Sequence, residues 1–133
     1  MIPKFKIWCK DKNEWEKDKC LLNENGSLYH WGLNGLGMEI KPENHIIVFS
    51  TGLTDKNSKE IYEGDIIATY PKDKTPRIVK YYEGKGAFVM EFGKLYDYFE
   101  EHRNIQDDYS VCQKLEIIGN IYENNNLIKE SVK

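Results

Sequence analysis

The side chains with the greatest chemical capacity are cysteines and histidines. They are Cys9, Cys20, Cys112, His30, His45 and His102. They stand far apart in the sequence, and none forms the closely spaced Cys or His pairs typical of zinc sites. The sequence therefore predicts no metal site and no cofactor. The weaker alternative is a zinc site that only the fold brings together.

Motifs for catalysis are absent from the 133 residues. There is no phosphate-binding P-loop, no dinucleotide fingerprint, no zinc-protease HExxH and no nucleophile elbow. The segment Glu83–Gly86 superficially resembles a phosphate loop, but it is short and no helix follows it. It predicts a hairpin turn instead. We expect a protein that is not an enzyme.

A basic and aromatic segment lies between residues 71 and 87. It contains two acidic residues and five basic ones, which are Lys72, Lys74, Arg77, Lys80 and Lys85. Three tyrosines adjoin them, and small barrels can hold nucleic acid with such a combination of cations and stacking rings. The alternative is a solvated loop beside core tyrosines, which the net charge of −3 favours because long-range attraction would be weak.

Tryptophans are frequent in the first half, at positions 8, 15 and 31. The run from Lys4 to Lys10 alternates, so that Phe5, Ile7 and Cys9 share one side and Trp8 faces outward. Outward-facing Trp8, together with Trp15 and Trp31, predicts an interface with a protein partner or a second copy of the chain. The alternative is that these rings fill the core of the first half.

Composition and charge place the protein in one broad class. With 40% hydrophobic residues the chain can bury a core, and no apolar run is long enough to cross a membrane. The N-terminal segment lacks the features of a signal peptide. We therefore expect the cytoplasm and three reduced thiols; the alternative for Cys9 and Cys20 is a disulfide across a hairpin.

Turn signals recur about every ten residues, and the runs between them are rich in β-branched and aromatic residues. The second half is strand, loop, hairpin, helical turn and strand. The helical turn is predicted from Leu95, Tyr98, Phe99 and His102, which are spaced like one helix face within residues 94–104. The predicted fold is mainly β: an N-terminal β region, residues 1–52, packs on a C-terminal SH3-like β-barrel with one short helix, residues 53–133.

Three segments of the sequence resemble one protein family. They are Pro3–Trp8, the central stretch STGLTDKNSKEIYEGDII at Ser50–Ile67, and LEIIGNIYEN at Leu115–Asn124. This combination is similar to the YopX family of bacterial phage and prophage proteins. The chain departs from the family pattern at Cys9 and at Ser58, where the family usually has a turn glycine.

The resemblance implies a mainly β fold with an SH3-like barrel, a phage or prophage origin and a location in the bacterial cytoplasm. It implies no established activity. The central stretch can be explained by turn chemistry alone, and a binding role for its carboxylates is the alternative. The predicted function is a protein-interaction or assembly module, and the alternative is a nucleic-acid-binding protein that uses Lys72–Lys85.

Overall fold

A computed structural model describes residues 4–32, 35–69, 73–102 and 110–124. The chain divides into two units. The large unit comprises Met1–Phe5 and Phe49–Lys133, and the small unit comprises Lys6–Val48. Within the described residues the helices are 3-10 turns of at most four residues, at Pro42–Asn44, Glu83–Lys85 and Phe99–His102. The prediction of a mainly β protein is therefore confirmed.

Twelve strands make up most of the described chain. In order they are β1 (Phe5–Cys9), β2 (Glu14–Trp15), β3 (Cys20–Leu22), β4 (Leu28–Gly32), β5 (Gly35–Glu39), β6 (His45–Thr54), β7 (Glu60–Tyr62), β8 (Asp65–Thr69), β9 (Asp73–Tyr82), β10 (Ala87–Phe92), β11 (Leu95–Tyr98) and β12 (Leu115–Asn120).

Two antiparallel arrangements form the small unit. β1 and β2 make a hairpin in which Trp8 lies opposite Trp15. Asn13 has a φ of +53° in the connecting turn, a conformation that asparagine tolerates better than most residues. β3, β4 and β5 form a second sheet in that order. In the turn between β3 and β4 the side chain of Asn23 accepts the N–H groups of Asn25 and Ser27.

The large unit is organised around a five-stranded antiparallel sheet with the order β11-β10-β9-β8-β12. One face of this sheet carries Val79 and Met90, which lie opposite each other in the register of β9 and β10. These two residues belong to the hydrophobic core of the unit. The core consists of Ile61, Ile67, Val79, Met90, Phe99, Cys112 and Leu115.

The helix predicted over residues 94–104 is wrong in its first half. Leu95–Tyr98 is strand β11, and only Phe99–His102 is helical, as a 3-10 turn. A run of four residues can be apolar at helical spacing and still pair as a strand, because pairing with β10 satisfies its backbone groups. Residues 103–104 of the predicted helix lie outside the described residues.

The five-stranded sheet ends at β11 on one side and at β12 on the other. Within the described residues no ladder joins these two end strands. The second half of the chain has the strands that the sequence predicts. The described ladders do not close this sheet into the predicted SH3-like barrel.

One buried carboxylate connects the centre of the sequence to its last strand. Asp55 is fully buried, and its Oδ1 accepts the backbone N–H groups of Asn57 and Lys59 at 2.9 and 3.0 Å. Its Oδ2 accepts the N–H of Ile117 in β12 at 3.0 Å. The next residue extends the connection, because Lys56 donates its N–H to the carbonyl of Leu115. Asp55 of the central stretch therefore has a structural role, which is to accept backbone N–H groups from its own turn and from β12.

A second connection joins the turn before β8 to the end of β12. Gly64 has a φ of +89°, and a Cβ at this position would lie 2.8 Å from Cε2 of Tyr122. Only glycine satisfies both demands. The carbonyl of Gly64 accepts the N–H of Ile121. Just beyond β12 the side chain of Asn120 accepts the N–H groups of Tyr122 and Glu123, which holds the chain in a tight turn.

We predict that Asp55→Asn destabilises the protein by about 3 kcal/mol. In asparagine an NH₂ group replaces one carboxylate oxygen. Because an NH₂ group cannot accept a hydrogen bond, at least one backbone N–H that Asp55 now accepts would be left buried without an acceptor. Chemical denaturation measures the change. Asp11→Asn, the same substitution at an exposed site, should stay within about 0.5 kcal/mol of the wild type. Equal stability of the Asp55→Asn and Asp11→Asn proteins would contradict this role of Asp55.

We predict that Ser58→Gly stabilises the protein. Ser58 has a φ of +63°, which costs a residue with a Cβ about 1–2 kcal/mol. Glycine removes this strain, but it also increases the conformational entropy of the unfolded chain, which opposes folding. The net gain in the free energy of unfolding should be about 0.5–1 kcal/mol. Thermal denaturation measures the gain. Ser58→Ala keeps the Cβ and should bring no stabilisation; if it stabilised equally, backbone strain would not be the cause.

Candidate interaction surface of the large unit

The face of the sheet opposite the core carries a group of tyrosines. In the register of β9, β10 and β11, Val89 lies between Lys80 and Tyr98, and Glu91 lies opposite Tyr96. Side chains opposite one another share a face of an antiparallel sheet. Tyr82, two residues from Lys80, is on this face as well. We call the group formed by Lys80, Tyr82, Glu91, Tyr96 and Tyr98 the tyrosine surface.

The three rings of the tyrosine surface contact one another. The ring centroids of Tyr82 and Tyr96 are 5.3 Å apart, and those of Tyr96 and Tyr98 are 5.6 Å apart with nearly perpendicular planes. Such tilted and edge-to-face contacts stabilise aromatic pairs beyond their buried area. Tyr96 and Tyr98 nevertheless remain 36% and 38% exposed. The result is a preformed aromatic surface that a partner can reach.

The charged groups of this surface are paired with each other. Glu91 accepts hydrogen bonds from the Tyr82 hydroxyl and, at 2.9 Å, from the Lys80 ammonium group. These two bonds hold the pKa of Glu91 below its ordinary value. The bond to Glu91 raises the pKa of Tyr82 because it stabilises the protonated phenol beside a carboxylate. A hydrogen bond with Tyr96 raises the pKa of Tyr98 in the same way.

Of the five basic residues proposed from the sequence, Arg77 and Lys80 lie on opposite faces of the sheet. Arg77 is buried, and its guanidinium contacts Thr69, Asp97 and the ring of Phe92. Lys80 lies three residues further along β9 and therefore on the opposite face. Lys85 is exposed in the turn Glu83–Lys85.

Two of the five basic candidates fall wholly or partly outside what is described. Lys72 lies outside the described residues. Lys74 belongs to β9 by its backbone, and its side chain lies outside the described part. A basic surface that includes these two residues therefore stays a prediction.

The three tryptophans proposed as interface residues differ in exposure. The prediction that Trp8 faces outward is wrong, because Trp8 is only 6% exposed and packs edge-on against Trp15 at 5.0 Å. Its strand is covered on both sides, since neighbouring Ile7 and Cys9 are buried too. Trp15 is half-buried beneath the ammonium group of Lys6. Trp31 on β4 is 46% exposed, so it is the most accessible of the three to a partner.

Sequence reasoning missed Tyr96 and Tyr98 as surface residues because it placed Tyr98 on a helix. A usable signal was present. Gly93 and Lys94 follow the strand Ala87–Phe92, and a two-residue connection containing glycine is typical of a hairpin. The structure has that hairpin, with Phe92 opposite Leu95 and with a φ of +64° at Gly93.

The fold and this surface define a class: a small, mainly β protein with an antiparallel sheet of consecutive strands and an exposed aromatic face. The chain belongs to the YopX protein family, whose pattern matches residues 4–129. Two of the three segments that suggested this family, Ser50–Ile67 and Leu115–Asn124, are connected in the structure through Asp55 and Gly64.

Nearly the whole chain is similar to a solved structure. It is the crystal structure of protein EF1440 from Enterococcus faecalis, with a TM-score of 0.63 and 25% sequence identity. The match covers 96% of this chain and 99% of that chain. No protein with curated annotation matches the sequence. Among the described residues, no helix has the length and apolar character that crossing a membrane requires.

We predict that Tyr82→Phe raises the pKa of Glu91 towards its ordinary value, because it removes the largest influence that lowers it. A carboxyl whose pKa is lowered by folding stabilises the protein above its unfolded pKa and loses that contribution as the pH falls through the folded pKa. The variant should therefore lose less stability on acidification. NMR titration of the Glu91 carboxyl measures the pKa. Tyr81→Phe alters the other face of the sheet and should leave the pKa of Glu91 unchanged. If Tyr82→Phe also left this pKa unchanged, the hydrogen bond between Tyr82 and Glu91 would be refuted.

Proposed function

We propose that this protein is a non-enzymatic protein-interaction or assembly module that binds a protein partner through the tyrosine surface. The observation that carries this proposal is the group of contacting, half-exposed rings of Tyr82, Tyr96 and Tyr98. Tyrosine is enriched in the residues that dominate protein–protein binding, since it offers a large rigid area with a polar tip. The pairing of Lys80 with Glu91 leaves little net charge there, which suits a protein partner better than a polyanion.

The position of β11 supports the same proposal. β11 is an end strand of the five-stranded sheet, and it carries both Tyr96 and Tyr98. The backbone of an end strand can pair with a strand of a partner, while alternate side chains contact it. Leu95, on the other face of β11, is 64% exposed, so a strand paired with β11 would find an apolar side chain on that face as well. A partner segment would therefore find backbone and side-chain contacts together.

The remaining parts of the proposal concern architecture and context. We propose that the large unit is an SH3-like barrel, because β8, β9, β10 and β11 are neighbours in sequence order and a 3-10 turn precedes the return of β12 beside β8. Membership of the YopX family supports a phage or prophage origin and action in the cytoplasm of a bacterial host. The absence of a catalytic motif from the sequence supports a non-enzymatic role.

The second candidate function is nucleic-acid binding. The observation that favours it is the proximity of exposed tyrosine rings to Lys80 and to exposed Lys85 on the same hairpin. Stacked bases and neutralised phosphates would use these groups. Because Arg77 is buried in an ion pair with Asp97, it does not support this role. Among the described residues, the nucleic-acid site would therefore use Lys80 and Lys85 and would exclude Arg77.

We predict that the double variant Tyr96→Ala/Tyr98→Ala loses its protein partner, with affinity reduced at least about thirtyfold, the loss typical of a dominant interface residue. The wild type, this variant and Tyr81→Ala would serve as baits for nuclease-treated lysate of the host bacterium during prophage induction. Light scattering after size exclusion tests a second copy of the chain as partner. Tyr81→Ala is the matched control, since Tyr81 is 44% exposed on the other face of the sheet.

Partners retained by Tyr81→Ala and lost by the double variant support the proposal. Partners bound equally by all three baits would refute the role of the tyrosine surface. Titration of labelled single and double strands at low salt tests the second candidate. Saturable binding that Lys80→Ala/Lys85→Ala weakens would favour nucleic acid over protein.

A further inference from the structure

The small unit brings metal-ligating side chains together from distant parts of its sequence. One ligand atom each from Cys9, Glu16 and His45 lie within 4.8 Å of one another. A second group shares Glu16 and adds Asp18 and His30, again within 4.8 Å. All five residues belong to Lys6–Val48. Glu16 joins the groups, since its Oε2 accepts from the Cys9 thiol and its Oε1 from the N–H of Asp18.

We propose that the small unit binds one zinc-type divalent ion through Cys9, Glu16 and His45. Thiolate, imidazole and carboxylate are the three side-chain ligands of zinc in proteins. The thiolate selects zinc over magnesium and calcium, which prefer sites made of oxygen atoms only. The second group lacks a thiol and includes exposed Asp18, so we assign it to positioning Glu16.

The distances suit such an ion. In a tetrahedral zinc site the sulfur and carboxylate ligands are about 3.6 Å apart, as zinc–ligand distances of about 2.3 and 2.1 Å require. The Cys9 sulfur and Oε2 of Glu16 are 3.4 Å apart. Only the His45 ring has to approach further, by up to about 1.2 Å, since the three ligand atoms lie within 4.8 Å of one another and such a site requires about 3.6 Å. Three protein ligands leave the fourth position to water or another group.

The orientation of His45 supports its role as a ligand. Its Nδ1 lies 3.1 Å from the carbonyl oxygen of Lys41. A carbonyl only accepts, so Nδ1 donates in this bond and Nε2 is the ring nitrogen left to bind an ion. A bond from the second ring nitrogen to a backbone carbonyl is the usual way in which metal-binding histidines are held. His45 also lines a cleft with Leu28, Ile40 and Ile47, which gives an ion a route to the ring.

The hydrogen bond between Cys9 and Glu16 contributes to the pKa shifts of both groups. Burial and the hydrogen bond to Glu16 raise the pKa of the Cys9 thiol to about 11, with Asp11 also raising it and Lys12 opposing. Burial acts to raise the pKa of Glu16. The bonds from Asp18 and Cys9, and the charges of His30 and Lys12, outweigh it and hold this pKa below its ordinary value. The Cys9 thiol, which donates to Oε2 of Glu16, carries a proton, and an ion bound to the thiolate would displace that proton.

The test is titration of the full chain with zinc under reducing conditions, followed by calorimetry. We expect one ion per chain and release of about one proton, detected by comparing buffers with different ionisation enthalpies. Glu16→Gln keeps the shape of the side chain but removes a charged ligand, and it should weaken binding at least about tenfold, since loss of even an outer-shell partner costs that much. Glu14→Gln, the same substitution at an exposed site two residues earlier, should bind like the wild type.

Cobalt is the spectroscopic probe of the same site. Wild-type protein loaded with Co²⁺ should develop a sulfur-to-cobalt charge-transfer band, which requires a thiolate ligand. The partly exposed His45→Ala should weaken binding without loss of the β-sheet circular dichroism signal, so the proposal does not depend on whether the buried Cys9→Ser folds. No saturable binding by the wild type, or undiminished binding by Glu16→Gln, would overturn the proposal. Loss of binding by His30→Gln while His45→Ala binds normally would assign the ion to the second group instead.

Discussion

The buried carboxylate of Asp55 is the constraint on which the large unit depends. It accepts two N–H groups of its own turn and one from Ile117, sixty-two residues later in the chain. A buried acceptor that satisfies three backbone donors is costly to replace, because each donor would be left unpaired away from water. Asp55 therefore ties β12 to the turn that contains Asp55. β12 also pairs with β8, which places it at one end of the sheet.

The tyrosine surface lies towards the other end of the same sheet, where β11 is the end strand. β9, β10 and β11 place one set of alternate residues in the core with Val79 and Met90, and the other set on the outer face. The outer set contains Tyr82, Tyr96 and Tyr98. An antiparallel sheet can pack its core on one face and expose the other, and the exposed Tyr96 and Tyr98 show that this one does so at β11. Its mutual ring contacts and the Lys80–Glu91 pair hold that surface in one arrangement.

The small unit gives its polar residues a different arrangement. Cys9 and Glu16 meet because β1 and β2 form a hairpin, which is a local event. His45 joins them from twenty-nine residues further along the sequence. Such separations carry no spacing signal, so a sequence search for paired ligands passes over them. The raised pKa of the Cys9 thiol has the same origin, because burial is its largest cause and burial exists only in the fold.

The sequence by itself determined the mainly β class, the positions of the tight turns and the family. These features depend on neighbouring residues, such as Gly64 with its positive φ or Asn120 with its turn bonds. Tertiary structure decided which residues are buried and which groups meet. Trp8 is buried despite an alternating strand, Arg77 is paired inside the sheet, and Leu95–Tyr98 is a strand despite helical spacing. Backbone conformation is a local preference of a few residues, whereas burial and contact depend on segments that the chain brings together only when it folds.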